Sequence, residues 1–199
     1  MKIGIVIACM ALMSSLTAEL KVLAFSGSTR EDSYNKKLLR EAVALAKQKG
    51  AMVTIIDLKE FPMPFYDGDL EANQGLPPQA KRLRALMIDS DAIIISTPEY
   101  NGSISAILKN AIDWASRDEK GQFSQDAFDG KTFAIMSASL GGGGGSRALA
   151  HLQSILENVG GHVLEQHTTV AKAHQAFNGS ELKDKTQLMK EIVHLTQTK

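Results

Sequence analysis

Apolar residues along this chain alternate between short unbroken runs and longer stretches at helical spacing. Residues 21–26 (KVLAFS) form a short apolar run closed by Gly27 and predict a buried strand. In residues 33–49, Leu38, Leu39, Ala42, Val43, Leu45 and Ala46 recur at helical spacing, and Gly50 closes the element. Residues 52–57 (MVTIID) read as a second strand, and residues 61–70, with two prolines and a glycine, as a loop. A helix is predicted over 77–89, carried by Leu83, Leu86 and Met87, followed by the most apolar strand, 91–97 (DAIIIST). The pattern continues with a helix over 103–116, a fourth strand over 131–137, a helix over 146–159, a short fifth strand over 162–165 and a C-terminal helix over 180–198.

Strand and helix therefore alternate throughout. The strands are continuous apolar runs, which predicts a sheet covered on both faces by helices. That is an α/β fold with a doubly wound parallel sheet, and five strands suggest the flavodoxin-like order 2-1-3-4-5. In such a sheet, ligands bind at the carboxyl ends of the strands beside the switch point between the first and third strands. The loops after the first, third and fourth strands are thus the places to look for chemistry.

Composition narrows the partners. The chain has 199 residues, 44% of them hydrophobic, enough for one domain with a real core. Lys+Arg and Asp+Glu both number 22, and no basic run appears, so nothing points to a nucleic-acid partner and none is expected. One cysteine, Cys9, can form neither an internal disulfide nor a structural zinc site. The five histidines make no i,i+4 pair and no HExxH pattern, so no metal is expected. Residues 1–18 (MKIGIVIACMALMSSLTA) form an apolar leader outside the domain at 19–199. Two readings of it stand: a signal peptide that directs export, or an over-long start with Met10 and Met13 as alternatives, which leaves a cytoplasmic protein.

The first loop runs Ser26-Gly27-Ser28-Thr29-Arg30-Glu31-Asp32-Ser33-Tyr34-Asn35. Gly27 permits a tight turn, Ser28, Thr29, Ser33 and Asn35 offer hydroxyl and amide donors, and Arg30 offers a planar cationic fork. Because the loop enters a helix N-terminus, it suits one terminal phosphate; a plain serine cap on the helix is compatible with that role. Neither G-x-G-x-x-G after the first strand nor G-x-x-x-x-G-K-[ST] anywhere is present, and Asp57 is read as a turn or capping residue. The second loop, Thr97-Pro98-Glu99-Tyr100-Asn101-Gly102-Ser103, would lay backbone amides and an aromatic beside a flat heteroaromatic ring. Trp114, in the helix behind it, is expected to pack rather than to touch a ligand. The third loop, Ser137 to Arg147, carries five consecutive glycines, Gly141 to Gly145, which let a ligand approach the backbone closely.

Together these loops resemble the NADPH-dependent FMN reductase family, which includes soluble quinone and chromate reductases. A GSxRxxSxN pattern is met by Gly27, Ser28, Arg30, Ser33 and Asn35. A PEYNxSxPxxLKNAIDW pattern is met by Pro98, Glu99, Tyr100, Asn101, Ser103 and the run Leu108 to Trp114; an SxGxxGGxRA pattern is met by Ser139, Gly141, Gly144, Gly145, Arg147 and Ala148. Ser105 departs from the family's proline, and Gly142 and Gly143 extend its glycine run. Both departures are expected near the ring edge, where acceptor preference is set.

The resemblance implies that Ser28, Arg30, Ser33 and Asn35 hold the phosphate of FMN, while Pro98 to Asn101 and Ser139 hold its ring. Ser26, Gly27, Tyr34, Gly102 and Gly141 complete the expected cofactor site. It implies an oxidoreductase that passes electrons from NAD(P)H, with NADPH preferred, to a small acceptor by a ping-pong scheme, with no side chain acting as acid or base. The acceptor would be a quinone, chromate, an azo or nitro compound, or free flavin. A homodimer or homotetramer is also implied. The competing class is a flavodoxin-type electron carrier without NAD(P)H oxidation of its own; flavodoxins are strongly acidic, and this chain is neutral.

Overall fold

The computed structural model describes residues 19–198; the leader at 1–18 lies outside the described residues. Four long parallel strands, β1 (Lys21–Ser26), β2 (Met52–Asp57), β3 (Ala92–Ser96) and β4 (Thr132–Ala138), carry the sheet. A short β5 (His162–Val163) completes the order β2-β1-β3-β4-β5, as the sequence predicts. The fifth position is in fact shared. β5 pairs with the start of β4 (Thr132 opposite His162), and a further segment, β6 (Thr168–Val170), pairs with its end (Met136 opposite Thr168). The polar Glu165-Gln166-His167 stretch between them hides this continuation from an apolar-run reading.

The two faces of the sheet bury alternate residues of each strand. Leu23, Phe25, Ile93, Ile95, Phe133 and Ile135 pack on one side, against α3 (Pro78–Ile88), α4 (Ala106–Ala115) and α5 (Ser146–Asn158). Val22, Ala24, Ile94, Ala134 and Met136 face the other side, against α1 (Tyr34–Gln48) and the C-terminal helix α7 (Thr186–Gln197). β3, central, is buried at every position. β2 departs from the expectation of full cover: it is an edge strand, and Met52 and Ile55 are each 48% exposed.

Three predicted boundaries move. The loop over 61–70 gives way to α2 (Gly68–Gln74), nucleated by Asp67, whose carboxylate accepts from the amides of Asp69 (2.8 Å) and Leu70 (3.1 Å). The helix expected from 103 begins at Ala106, because residues 100–103 are committed to a tight turn. The C-terminal helix expected from 180 begins at Thr186. Ahead of it, a one-turn α6 (Ala173–Ala176) leads into an antiparallel hairpin of β7 (Phe177–Asn178) and β8 (Glu181–Leu182).

Candidate active site

The three loops singled out in the sequence meet at the carboxyl end of the sheet, and side-chain staples join them. The first staple is Asn35, in the first turn of α1. Its Nδ2 donates to the Ala138 carbonyl (2.9 Å), while its Oδ1 accepts from the Ala138 amide (2.9 Å) and from Ser96 Oγ (3.1 Å). One buried amide thus locks the start of α1 to the ends of β3 and β4. The second is Ser105, whose Oγ donates to the Gly27 carbonyl at 2.6 Å. Gly27 sits so close to its neighbours that a Cβ would lie 2.9 Å from Thr97 Oγ1 and 3.2 Å from Leu108 Cβ, so the first loop needs glycine for close approach.

Around Gly27, Ser26 Oγ donates to the Ser96 carbonyl (3.0 Å) and accepts from the Ser28 amide (3.2 Å). The chain then enters α1 with Ser33 at the N-cap, yet the Ser33 hydroxyl makes no capping bond and no acidic residue occupies the first turn. That leaves a helix N-terminus whose free amides and positive dipole end face the cleft without an internal anion. Arg30 is exposed and, among the described residues, has no carboxylate within ion-pair distance. Of the two acids that follow it, Glu31 lies 3.4 Å from Lys59 Nζ and Asp32 is held by Lys37 (2.7 Å), whose ammonium keeps the Asp32 carboxyl below the usual carboxylate range.

The loop after β3 folds back on itself. Tyr100 and Ser103 pair as an antiparallel bridge, with Asn101 (φ 52°) and Gly102 (φ 81°) both left-handed at the tip, the conformation an Asn-Gly turn adopts readily. Pro98 is buried and Tyr100 is half exposed. Glu99 reaches from this loop to the first turn of α5: its Oε1 accepts from Arg147 Nε (2.9 Å) and NH2 (2.5 Å). The Arg147 guanidinium, helped by the amides of Ala148 and Arg147, holds the Glu99 carboxyl below its ordinary range despite burial. The loop after β4 is anchored by Ser139, whose amide donates to the Val170 carbonyl (2.9 Å).

Between the loops lies a cleft of about 270 Å³. Nine of the fourteen predicted site residues line it: Ser28, Arg30, Ser33, Tyr34, Asn35, Pro98, Glu99, Tyr100 and Ser139. The other five, Ser26, Gly27, Asn101, Gly102 and Gly141, support the same loops from behind or at their tips. Asp32, Ala138 and Leu140 also line the cleft without having been singled out. Leu140, 60% exposed between Ser139 and the glycines, is legible afterwards as an apolar residue stranded at a ligand-facing strand end. Ser105 lies elsewhere than expected: it is 3% exposed and tethers the first loop from beneath instead of lining the ring edge. Trp114 packs, as predicted; it is fully buried, with Nε1 donating to the Pro64 carbonyl (2.9 Å). Asp57 caps the turn after β2 by accepting from the Lys59 amide (3.0 Å). A larger cleft of about 500 Å³ lies by α2, but its buried acid, Glu71, is already satisfied by Arg117 (2.9 Å) and Tyr66 (3.0 Å).

A doubly wound sheet with an anion-ready loop, an aromatic-bearing loop and a glycine-rich loop on one rim defines a flavodoxin-like nucleotide-binding protein. The family model for NADPH-dependent FMN reductases matches residues 20–175, and the chain belongs to that family of oxidoreductases. An NAD(P)H-dependent FMN reductase of Pseudomonas aeruginosa is 38% identical over 164 residues, covering 82% of this chain and 84% of the relative. An NADPH:quinone oxidoreductase of Arabidopsis thaliana is 38% identical over 148 residues, 73% of this chain and 71% of the relative. Among solved structures, FerB, a flavoenzyme NAD(P)H:(acceptor) oxidoreductase from Paracoccus denitrificans, superposes with a TM-score of 0.73 at 29% identity, covering 89% of this chain and 95% of that one.

Proposed function

We propose that the cleft holds FMN with its phosphate at the N-terminus of α1 and its ring between the loops after β3 and β4, and that the enzyme passes electrons from NAD(P)H to a quinone or a similarly small acceptor. The observation that carries this reading is the unspent anion site: a helix N-cap whose Ser33 hydroxyl makes no capping bond, beside an Arg30 free of any ion pair among the described residues. The residues fit that group. Ser28, Ser33, Arg30 and the first-turn amides suit a dianionic phosphate. Pro98, Tyr100 and Leu140 offer apolar faces to a ring, and the loop backbones offer edge donors and acceptors. When bound, FMN supplies a ring that takes up two electrons and gives them on.

The chain's own residues bind, orient and screen. Asn35 acts indirectly, because both ends of its amide are engaged in holding the three loops together. The three loops frame this one cleft, and the candidate phosphate and ring positions both fall within it. NAD(P)H and acceptor would therefore use one face in turn. NADPH preference, assembly as a homodimer or homotetramer, and residues 19–199 as the working unit belong to the same proposal.

The test uses FMN-loaded enzyme. NAD(P)H added alone should bleach the flavin absorbance, and a quinone added afterwards should restore it. Initial-rate plots at several quinone concentrations should be parallel lines, since the two substrates never need to be bound together. Intersecting lines would overturn sequential use of one face. Bleaching by dithionite but not by NAD(P)H would leave an electron carrier instead of a reductase.

A further inference from the structure

We propose that Arg147 is a positioning residue for the flavin ring, acting through Glu99 to fix the backbone of the loop after β3 against the first turn of α5. This rests on the reading that the cleft holds FMN.

The start of α5 cannot cap itself. Gly145, at its N-cap, has φ 86° and no side chain, and a Cβ there would fall 1.9 Å from Ser137 Oγ, so no Ser, Thr or Asp fits. An acid from another loop lies at this helix start instead: the Arg147 guanidinium, helped by the amides of Ala148 and Arg147, holds the Glu99 carboxyl below its ordinary range. Arg147 then adds two charge-assisted bonds from its own fork to the same Oε1. The Glu99 side chain is 12% exposed, whereas that of Arg147 is 75% exposed, so the arginine closes over the acid from the solvent side. One turn further along α5, His151 Nδ1 lies 3.1 Å from Ser103 Oγ. Both legs of the Tyr100–Ser103 turn are thus tied to one helix face, and its first leg, Pro98 to Tyr100, lines the cleft.

Two features separate positioning from general support. Removing Arg147 leaves the hydrophobic core untouched, because its side chain is outside it. Its effect should also fall on the ring and not on the phosphate, which sits at the opposite loop. FMN and riboflavin share the ring and differ in the phosphate, so comparing them locates the effect.

The experiment measures dissociation constants for FMN and for riboflavin by flavin fluorescence in wild type, Arg147→Ala, Arg147→Lys, Glu99→Ala and the double variant Arg147→Ala/Glu99→Ala, together with urea midpoints of the apo-proteins. Wild type must bind FMN; failure at that step would remove the cofactor reading itself and not the tie. Arg147→Ala should weaken FMN and riboflavin by the same factor, about three- to tenfold for a charge-assisted contact that is largely solvated. The apo midpoint should stay at the wild-type value, and Arg147→Lys should recover part of the affinity. The double variant should bind no more weakly than Glu99→Ala alone, because the arginine has nothing left to act through. Unchanged affinity in Arg147→Ala would overturn the proposal. So would a loss confined to FMN, which would put Arg147 on the phosphate, additive losses in the double variant, or a loss matched by a fall in apo-protein stability.

Discussion

Glu191 offers a sharp test of how this fold is held. It lies on α7 and is fully buried, packed against the sheet where β4 meets β6. Its Oε2 accepts from the Thr168 amide (2.9 Å) and from Thr168 Oγ1 (2.5 Å), while Oε1 has no partner. Among the described residues, no cation lies within ion-pair distance of it. Burial pushes its carboxyl up from 4.5 to about 8, against the pull of the Thr168 and Ile135 bonds, so it is protonated at neutral pH. An acid whose pKa is higher folded than unfolded contributes stability that is complete below its unfolded value and lost as pH rises to the folded one. Between about pH 4.5 and 8 the unfolded chain releases this proton while the native protein keeps it. A displacement of that size is worth roughly 3–5 kcal/mol across the window.

Glu191→Gln keeps the acceptor oxygen for Thr168 and puts an NH2 where the protonated acid has an OH, so it mimics the neutral form at every pH. Urea unfolding of wild type and variant, followed from pH 5 to 8.5 by tryptophan fluorescence, isolates the effect, because every other titrating group cancels in the difference. The two proteins should differ by about 1 kcal/mol or less near pH 5, the scale of one exchanged hydrogen bond. By pH 8 the variant should be the more stable by several kcal/mol, at an unchanged denaturant slope. A stability difference that does not vary with pH would refute the reasoning, since it would mean that Glu191 titrates alike in both states.

Arg30→Ala should weaken FMN binding by a charge-assisted contact worth about 1.5–3 kcal/mol and spare riboflavin, as read by fluorescence titration of both; equal losses would place Arg30 away from the phosphate. Asn35→Ala strips partners from the buried Ala138 amide and carbonyl and from Ser96 Oγ, so thermal melts of the apo-protein should show a destabilisation of about 2–4 kcal/mol, and FMN affinity should fall as the three loops part.

The sheet was legible because its strands are nearly pure apolar runs. The 2-1-3-4-5 order follows from right-handed crossovers between them, and β3, with five buried residues in a row, is the pattern at its clearest. What the runs could not convey were elements made by polar residues. α2 forms because Asp67 caps it, β6 resumes after a polar break, and the β7–β8 hairpin precedes α7 where helical spacing seemed to extend back to residue 180. At the site, residue types and loop positions could be read, but not side-chain direction. Asn35 looks like a ligand donor in the sequence and Ser105 like a ring-edge residue, and the side chains of both are engaged as internal staples. Arg147 stood in a motif without a role until Glu99 was found beside it.

The division of labour within the glycine run follows from the same geometry. Gly144 and Gly145 are buried in left-handed conformation, and added Cβ atoms would meet Thr169 at 3.0 Å and Ser137 at 1.9 Å, so these two set the entry into α5. Gly142 and Gly143 are exposed, with nothing within 4 Å of an added Cβ. The two extra glycines by which this chain departs from the family pattern therefore fall on the free half of the loop. Side chains placed there would cost the fold little and would stand at the rim beside Leu140. On the proposed reading, the fixed half, whose entry into α5 is tied to the loop after β3 through Arg147 and Glu99, would set where a ring can lie. The open half would then limit how large a molecule can reach it, so on that reading acceptor preference should be sought there.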